Sequence, residues 1–192
     1  DRIKTLLEEF PGLVVVDEAY YHFSRRSFLP YLADYSNLVV SRSMSKIGLA
    51  GLRVGFLIGH KDLVAQLMKV KLPYNLGLLS QRAAFMAISN MGPIEVKVQE
   101  VIEERENLLP ELNALPGLRP YPSQANFILF KVDGDADLVH SFLLDKGISI
   151  RNLGSVPGLR GCLRVTLGKP GENRAFLEAL KESLNRARGQ GA

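Results

Sequence analysis

The stretch that most restricts the fold is "VVVDEAYYHF" at residues 14 to 23. Val14, Val15 and Val16 are consecutive β-branched residues with no polar interruption. Such a run predicts a strand covered on both faces, as in a parallel sheet flanked by helices. It ends abruptly in Asp17 and Glu18. Sheets of this kind place their ligands at the carboxyl ends of the strands, so the acid stands where a ligand belongs. Two chemistries use an acid there. One holds a magnesium ion beside a nucleotide, and the other pairs with the protonated ring nitrogen of a cofactor.

The surrounding pattern supports an α/β layer architecture. A short helix is predicted over 2–10, strands over 13–17, 37–43 and 52–59, and helical periodicity runs through "KDLVAQLMKVKL". "NMGPIE" at residues 90 to 95 breaks the pattern. Beyond it, Val98, Val101, Ile102, Leu108, Leu109 and Leu112 fall near the spacing of one face of a long helix. "QANFILFKV", "ISIRN" and "CLRVTLG" read as strands, and "DADLVHSFLLDKG" reads as a helix closed by Gly147. A last helix aligns Phe176, Leu180 and Leu184. The division is therefore 1–92 as part of a larger α/β domain and 93–192 as a smaller α+β domain.

Composition removes several classes of function. Cys162 is the single cysteine, which excludes a disulfide framework or cysteine-rich zinc site within one chain. His22, His60 and His140 lack metal-ligand spacing. The net charge of +4 comes from basic residues interleaved with acids, without the aromatic-studded basic run of a nucleic-acid surface. No apolar run approaches the roughly 20 residues of a membrane span, and "DRIKTLLEEF" does not resemble a secretory leader. A reducing cytoplasm is the expected location. The chain opens on Asp1 rather than methionine, which suggests a piece of something longer.

"SRSMSKIGLAGLRVGF" at 41 to 56 supplies the discriminating chemistry. Ser43 and Ser45 offer short donors, Gly48 and Gly51 permit close approach of backbone to a ligand, and Arg53 offers a planar fork for phosphate. Such a loop alone is commonly an ordinary turn. Lys46 changes the reading, because a lysine here, beside an acid on a parallel neighbouring strand, can form an imine with a cofactor ring that accepts electrons.

"VVVDEAY" followed by "SRSMSKIGLAGLRVGF" resembles the pyridoxal-phosphate enzymes of the aspartate-aminotransferase fold, fold type I. "ISIRNLGSVPGLRGCLRVTLGKPGENRAF" is similar to the histidinol-phosphate aminotransferases in particular. The resemblance runs through essentially the whole chain but covers only the second half of such an enzyme, the part with a mainly parallel sheet and a small C-terminal domain. It implies that Lys46 is the lysine bonded to pyridoxal 5'-phosphate and the group that moves the substrate proton. Asp17 is implied to pair with the ring nitrogen and Tyr20 to donate to the phenolic oxygen. Ser43, Ser45 and Arg53 are implied to hold the phosphate. Arg151 and Arg164 match the pair that grips the substrate's anionic end, a phosphate in histidinol phosphate and a carboxylate in glutamate. A homodimer with active sites at the subunit interface is implied as well, with Asn75 near the partner's cofactor. Neither nucleic acid nor membrane is expected as a partner.

Tyr21 reads as a packing aromatic, His22 as a structural residue, and Ser80 with Gln81 as the start of a helix. Arg160 receives no role. Three alternatives stand beside this reading. A related phosphothreonine decarboxylase shares the fold and the need to bind phosphate. A P-loop nucleotide hydrolase would need a G-x-x-x-x-G-K-[ST] loop, which these residues lack. A truncated or non-catalytic piece would lack half the cofactor's walls and be inactive in isolation.

Overall fold

The structure is a computed structural model that describes residues 2–189; Asp1, on which the expectation of truncation rests, lies outside them. The chain divides into two compact units, residues 1–96 and 97–192.

In the first unit, helix α1 (Arg2–Glu9) leads to strand β1 (Val14–Asp17), the one-turn helix α2 (Tyr21–Ser24), strand β2 (Leu38–Ser43) and strand β3 (Gly55–Gly59). The sheet order is β1-β2-β3, with β1 parallel to β2 and β2 antiparallel to β3. The sheet of this unit is thus mixed where a mainly parallel one was expected. The connections explain the difference. A parallel pair needs a long crossover, which residues 18–37 supply, whereas 44–54 form only two short 3-10 turns and send β3 back beside β2.

The central strand is covered as expected, since Leu38, Val39 and Val40 are each no more than 2% exposed. Leu38 and Val40 pack with Leu7 of α1, and Val14 and Val16 join that cluster. Val15, on the other face, remains 59% exposed. Two-sided cover of the valine run is therefore corrected: β1 is an edge strand of this sheet, and α1 shields one of its faces. Helices α3 (Lys61–Val70) and α4 (Leu78–Ser89) follow, and Ala84 of α4 packs on Met44 and Val54.

The second unit holds most of α5 (Gly92–Asn113), which starts at the break in periodicity. Its sheet has the order β4-β5-β7-β6, formed by Leu118–Pro120, Phe127–Val132, Cys162–Thr166 and Arg151–Asn152, and every pairing is antiparallel. Helices α6 (Ala136–Asp145) and α7 (Pro170–Gly189) cover it, burying Leu143 and Leu180 completely against Ile128, Phe130 and Leu163. Asp135 caps α6 by accepting from the amides of Asp137 and Leu138, and Gly147 follows it at a φ of 76°, which favours glycine. Strand β4 was not foreseen, and "ISIRN" contributes only Arg151 and Asn152 to the sheet. Ile148 and Ile150 pack on the core without strand pairing.

Leu163→Ala should lower the unfolding free energy of the chain by about 2–5 kcal/mol, the usual cost of a cavity at a fully buried leucine. Urea unfolding of the two proteins measures it; a loss under about 1 kcal/mol would mean that this core collapses around the cavity.

Candidate active site

The parallel register runs from Val14 opposite Leu38 to Asp17 opposite Ser41, so β1 and β2 open their carboxyl ends on the same edge. Strand β2 continues two residues beyond Ser41 to Ser43, about 7 Å further at the usual rise. Asp17 is exposed at this edge. Its Oδ1 accepts from the amide of Ala19 at 2.9 Å, an Asx turn that folds the chain over the strand end. Tyr20 then stands at the N-terminus of α2.

Ser43 caps the 3-10 turn Met44–Lys46, its Oγ accepting from the amide of Ser45 at 3.1 Å. Met44 is buried with Val54 and Ala84 and fastens this turn to the unit. Lys46, at the end of the turn, carries its Nζ 5.3 Å from the centre of the Tyr20 ring. The amine and the phenol foreseen from separate motifs are therefore brought together.

Arg53 reaches the same region through the second 3-10 turn. The amide of Met44 donates to Val54 O at 3.1 Å, and Ser43 pairs with Gly55 across the antiparallel ladder. Arg53 adopts a left-handed φ of 56°, a conformation that costs a non-glycine residue on the order of 1–3 kcal/mol. Gly48 needs glycine for its φ of 88°, and nothing lies within 4 Å of where a Cβ would stand at Gly48 or Gly51. These glycines leave open space rather than pressing against a neighbour.

Two charged residues that received no role from the sequence lie beside this set. The Glu18 carboxylate is buried and accepts from Arg42, which projects from β2 between Ser41 and Ser43. The guanidinium of Arg42 lies 3.5 Å from the Tyr21 ring centre, so Tyr21 packs on a cation as well as on its neighbour His22. Burial, followed by Arg42 and Arg25, lowers the pKa of His22, with Glu95 opposing, which favours a neutral imidazole and suits a packing role. Asn75 accepts from Lys71 Nζ, and Ser80 and Gln81 lie in the first turn of α4.

In the second unit, Arg151 and Arg164 are directly opposed on β6 and β7. Like charges so placed repel, and neither has an acidic partner within 4.0 Å among the described residues. Arg164 stacks on Phe127, 4.8 Å from the ring centre, and its buried Nε has no hydrogen-bond partner. Both arginines line an open cavity of about 390 Å³ with Ser149, Ile150 and Thr166. Arg160 lies exposed in the loop before β7. His140 Nε2 sits 3.1 Å from Ile150 O, and His60 pairs with Asp62.

The profile of the family described as aminotransferase class I and II matches residues 1–180. The chain belongs to this family. The nucleotide-hydrolase alternative thereby loses its support. Among related aminotransferases, histidinol-phosphate aminotransferase 2 of Nitrosococcus oceani is 43% identical over 183 residues, covering 94% of this chain and 51% of that protein. The crystal structure of histidinol-phosphate aminotransferase from Sinorhizobium meliloti in complex with pyridoxal-5'-phosphate superposes with a TM-score of 0.82 at 26% identity, covering 96% of this chain and 52% of the other. That of L-threonine-O-3-phosphate decarboxylase from Porphyromonas gingivalis gives 0.84 at 25% identity, with coverage of 95% and 58%. The fold is thus that of the second half of a fold type I enzyme, and the chain spans about half the length of the relatives it matches. No helix of the described residues is long and apolar enough to cross a membrane.

Proposed function

We propose that this chain supplies the cofactor-anchoring and substrate-gripping residues of a pyridoxal-phosphate-dependent aminotransferase that exchanges the amino group of L-histidinol phosphate with 2-oxoglutarate, in histidine biosynthesis. The observation that carries the reading is the gathering of Asp17, Tyr20, Ser43, Lys46 and Arg53 at one strand edge. The names of the relatives support the substrate. The cytoplasm and a homodimer belong to the same proposal.

The donor set fits the cofactor. An amine suits its aldehyde, a carboxylate its ring nitrogen, and serine hydroxyls with a guanidinium its phosphate. Gly48 and Gly51 leave space for it beside the loop. Pyridoxal phosphate, when bound, supplies an electron-accepting ring. Lys46 would bond to it and, once displaced by the substrate amine, take a proton at Nζ and return it. Asp17 would accept from the ring N–H, and the Asx turn to Ala19 holds its carboxylate in place. Tyr20 would donate its hydroxyl to the phenolic oxygen, while Ser43, Ser45 and Arg53 would orient the phosphate.

Arg151 and Arg164 would bind the anionic end of each substrate, which relieves their mutual repulsion. A lysine is a point charge and cannot reproduce the fork. Arg164→Lys should fold normally and still bind cofactor, yet lose about 2–4 kcal/mol of transition-state stabilisation with histidinol phosphate. The glutamate half-reaction should weaken too. Separate measurement of both half-reactions tests this, since two unimpaired rates with a lowered Tm would make Arg164 scaffolding. The decarboxylase neighbour supports a second reading for the same anchor. Release of carbon dioxide from phosphothreonine, with no amino transfer to 2-oxoglutarate, would favour it.

A further inference from the structure

Glu18 follows the proposed ring-nitrogen partner directly, yet its side chain is only 4% exposed. Its Oε1 accepts from the amide of Phe28 at 2.6 Å and the hydroxyl of Ser27 at 3.1 Å. Its Oε2 accepts from Arg42 Nε at 3.0 Å and lies 2.9 Å from Arg42 Nη2 as an ion pair. Arg42 Nη2 also donates to Ser27 Oγ at 2.9 Å, and the face of the guanidinium stacks on Tyr21. One buried carboxylate and one guanidinium thus join the end of β1, the start of α2, the 27–28 loop and β2. A backbone bond from the amide of Glu18 to Ser41 O at 2.7 Å closes the same junction.

The two charged residues alternate along the chain with the proposed cofactor donors. Asp17 precedes Glu18 and Tyr20 lies two residues beyond it, while Ser43 follows Arg42 and Lys46 lies four beyond. The amide of Glu18 makes the last backbone bond from this segment to β2, so the ladder alone does not fix the residues beyond it, Tyr20 among them, against the Ser43–Lys46 turn. A charge-assisted hydrogen bond whose guanidinium also donates to Ser27 and stacks on Tyr21 holds distance and angle together. Buried charges of this kind are costly to desolvate and are weak evidence for stability as such, which points to a geometric use.

We propose that Glu18 and Arg42 are positioning residues: their buried pair sets Asp17 and Tyr20 at a fixed separation from Ser43 and Lys46 without touching the cofactor. This rests on the pyridoxal-phosphate reading of the site. Glu18→Gln keeps the shape and removes the charge, and Arg42→Lys keeps the charge and removes the fork and the stacking plane. In cofactor-loaded protein, both should still attach the cofactor at Lys46, shown by borohydride labelling. Both should raise the pyridoxal-phosphate dissociation constant roughly tenfold and lower kcat by up to about 10²-fold, the scale of a misplacement near 1 Å, with a smaller change in KM for glutamate. The circular dichroism of the bound cofactor should change as well, because it reports ring orientation.

Unchanged dissociation constant, dichroism and kcat in either folded variant, accompanied only by a lower urea midpoint, would overturn the proposal and leave the pair structural. Should Glu18→Gln fail to fold, Arg42→Lys decides alone on the same readouts. Failure of the underlying reading shows differently, as absence of label at Lys46 in the unsubstituted protein, and the proposal then falls with it.

Discussion

Lys46→Ala is expected to reduce transamination by at least about 10²–10⁴-fold, the span of a lost general acid–base, with a further fall because the nucleophile is lost in the same change. The loop from Ser43 to Arg53 contains one lysine, and its Nζ sits over the Tyr20 ring. Arg53 cannot replace it, since a guanidinium stays protonated and acts neither as nucleophile nor as base. Cofactor binding should weaken rather than vanish, because Ser43, Ser45 and Arg53 remain. Two measurements check this together: kcat of the variant, and peptide mapping of borohydride-reduced, cofactor-loaded protein. A pyridoxyl group on any peptide other than the one containing Lys46 would remove the assignment.

Asp17→Asn should slow the step that breaks the substrate Cα–H bond by roughly 10²–10³-fold, comparable to the loss of one preorganised electrostatic partner. The amide has nearly the same shape and retains an oxygen that can accept from the Ala19 amide as Asp17 Oδ1 does. The local turn should therefore persist while the charge opposite the ring nitrogen disappears. Cofactor affinity should fall far less than the rate. Single-turnover absorbance traces separate the two effects, and an unaltered proton-abstraction rate in folded, loaded Asp17→Asn protein would exclude the electrostatic role.

The candidate site was legible to different depths along the chain. Asp17 stood out because an unbroken β-branched run ended on it, and Lys46 because it lay in a short hydroxyl- and glycine-rich loop after another strand. Each is a local signal. Glu18 and Arg42 were visible only as an acid after an acid and a charge between two serines. Their pairing spans 24 residues, and no local pattern records it. The opposition of Arg151 and Arg164 was suggested by the motif, but its register, Arg164's stacking on Phe127 and its unpartnered Nε depend on how β6 and β7 align.

The sequence by itself determined the order of strands and helices apart from α2 and β4, the apolar face of α5, the glycine after α6 and the chemistry offered at residues 17, 46 and 53, because periodicity and residue type act within a few positions. Tertiary structure decided what depends on distant partners. It made the sheet of the first unit mixed, since 44–54 lacks a crossover helix. It left Val15 exposed, because α1 packs on the Val14 and Val16 face of β1 and Val15 points to the other. It also reduced "ISIRN" to a two-residue strand, with Ile148 and Ile150 packed on the core ahead of it. Hydrophobic burial is non-directional and can be read from spacing, whereas hydrogen-bond and ion-pair geometry exists only once remote segments have met.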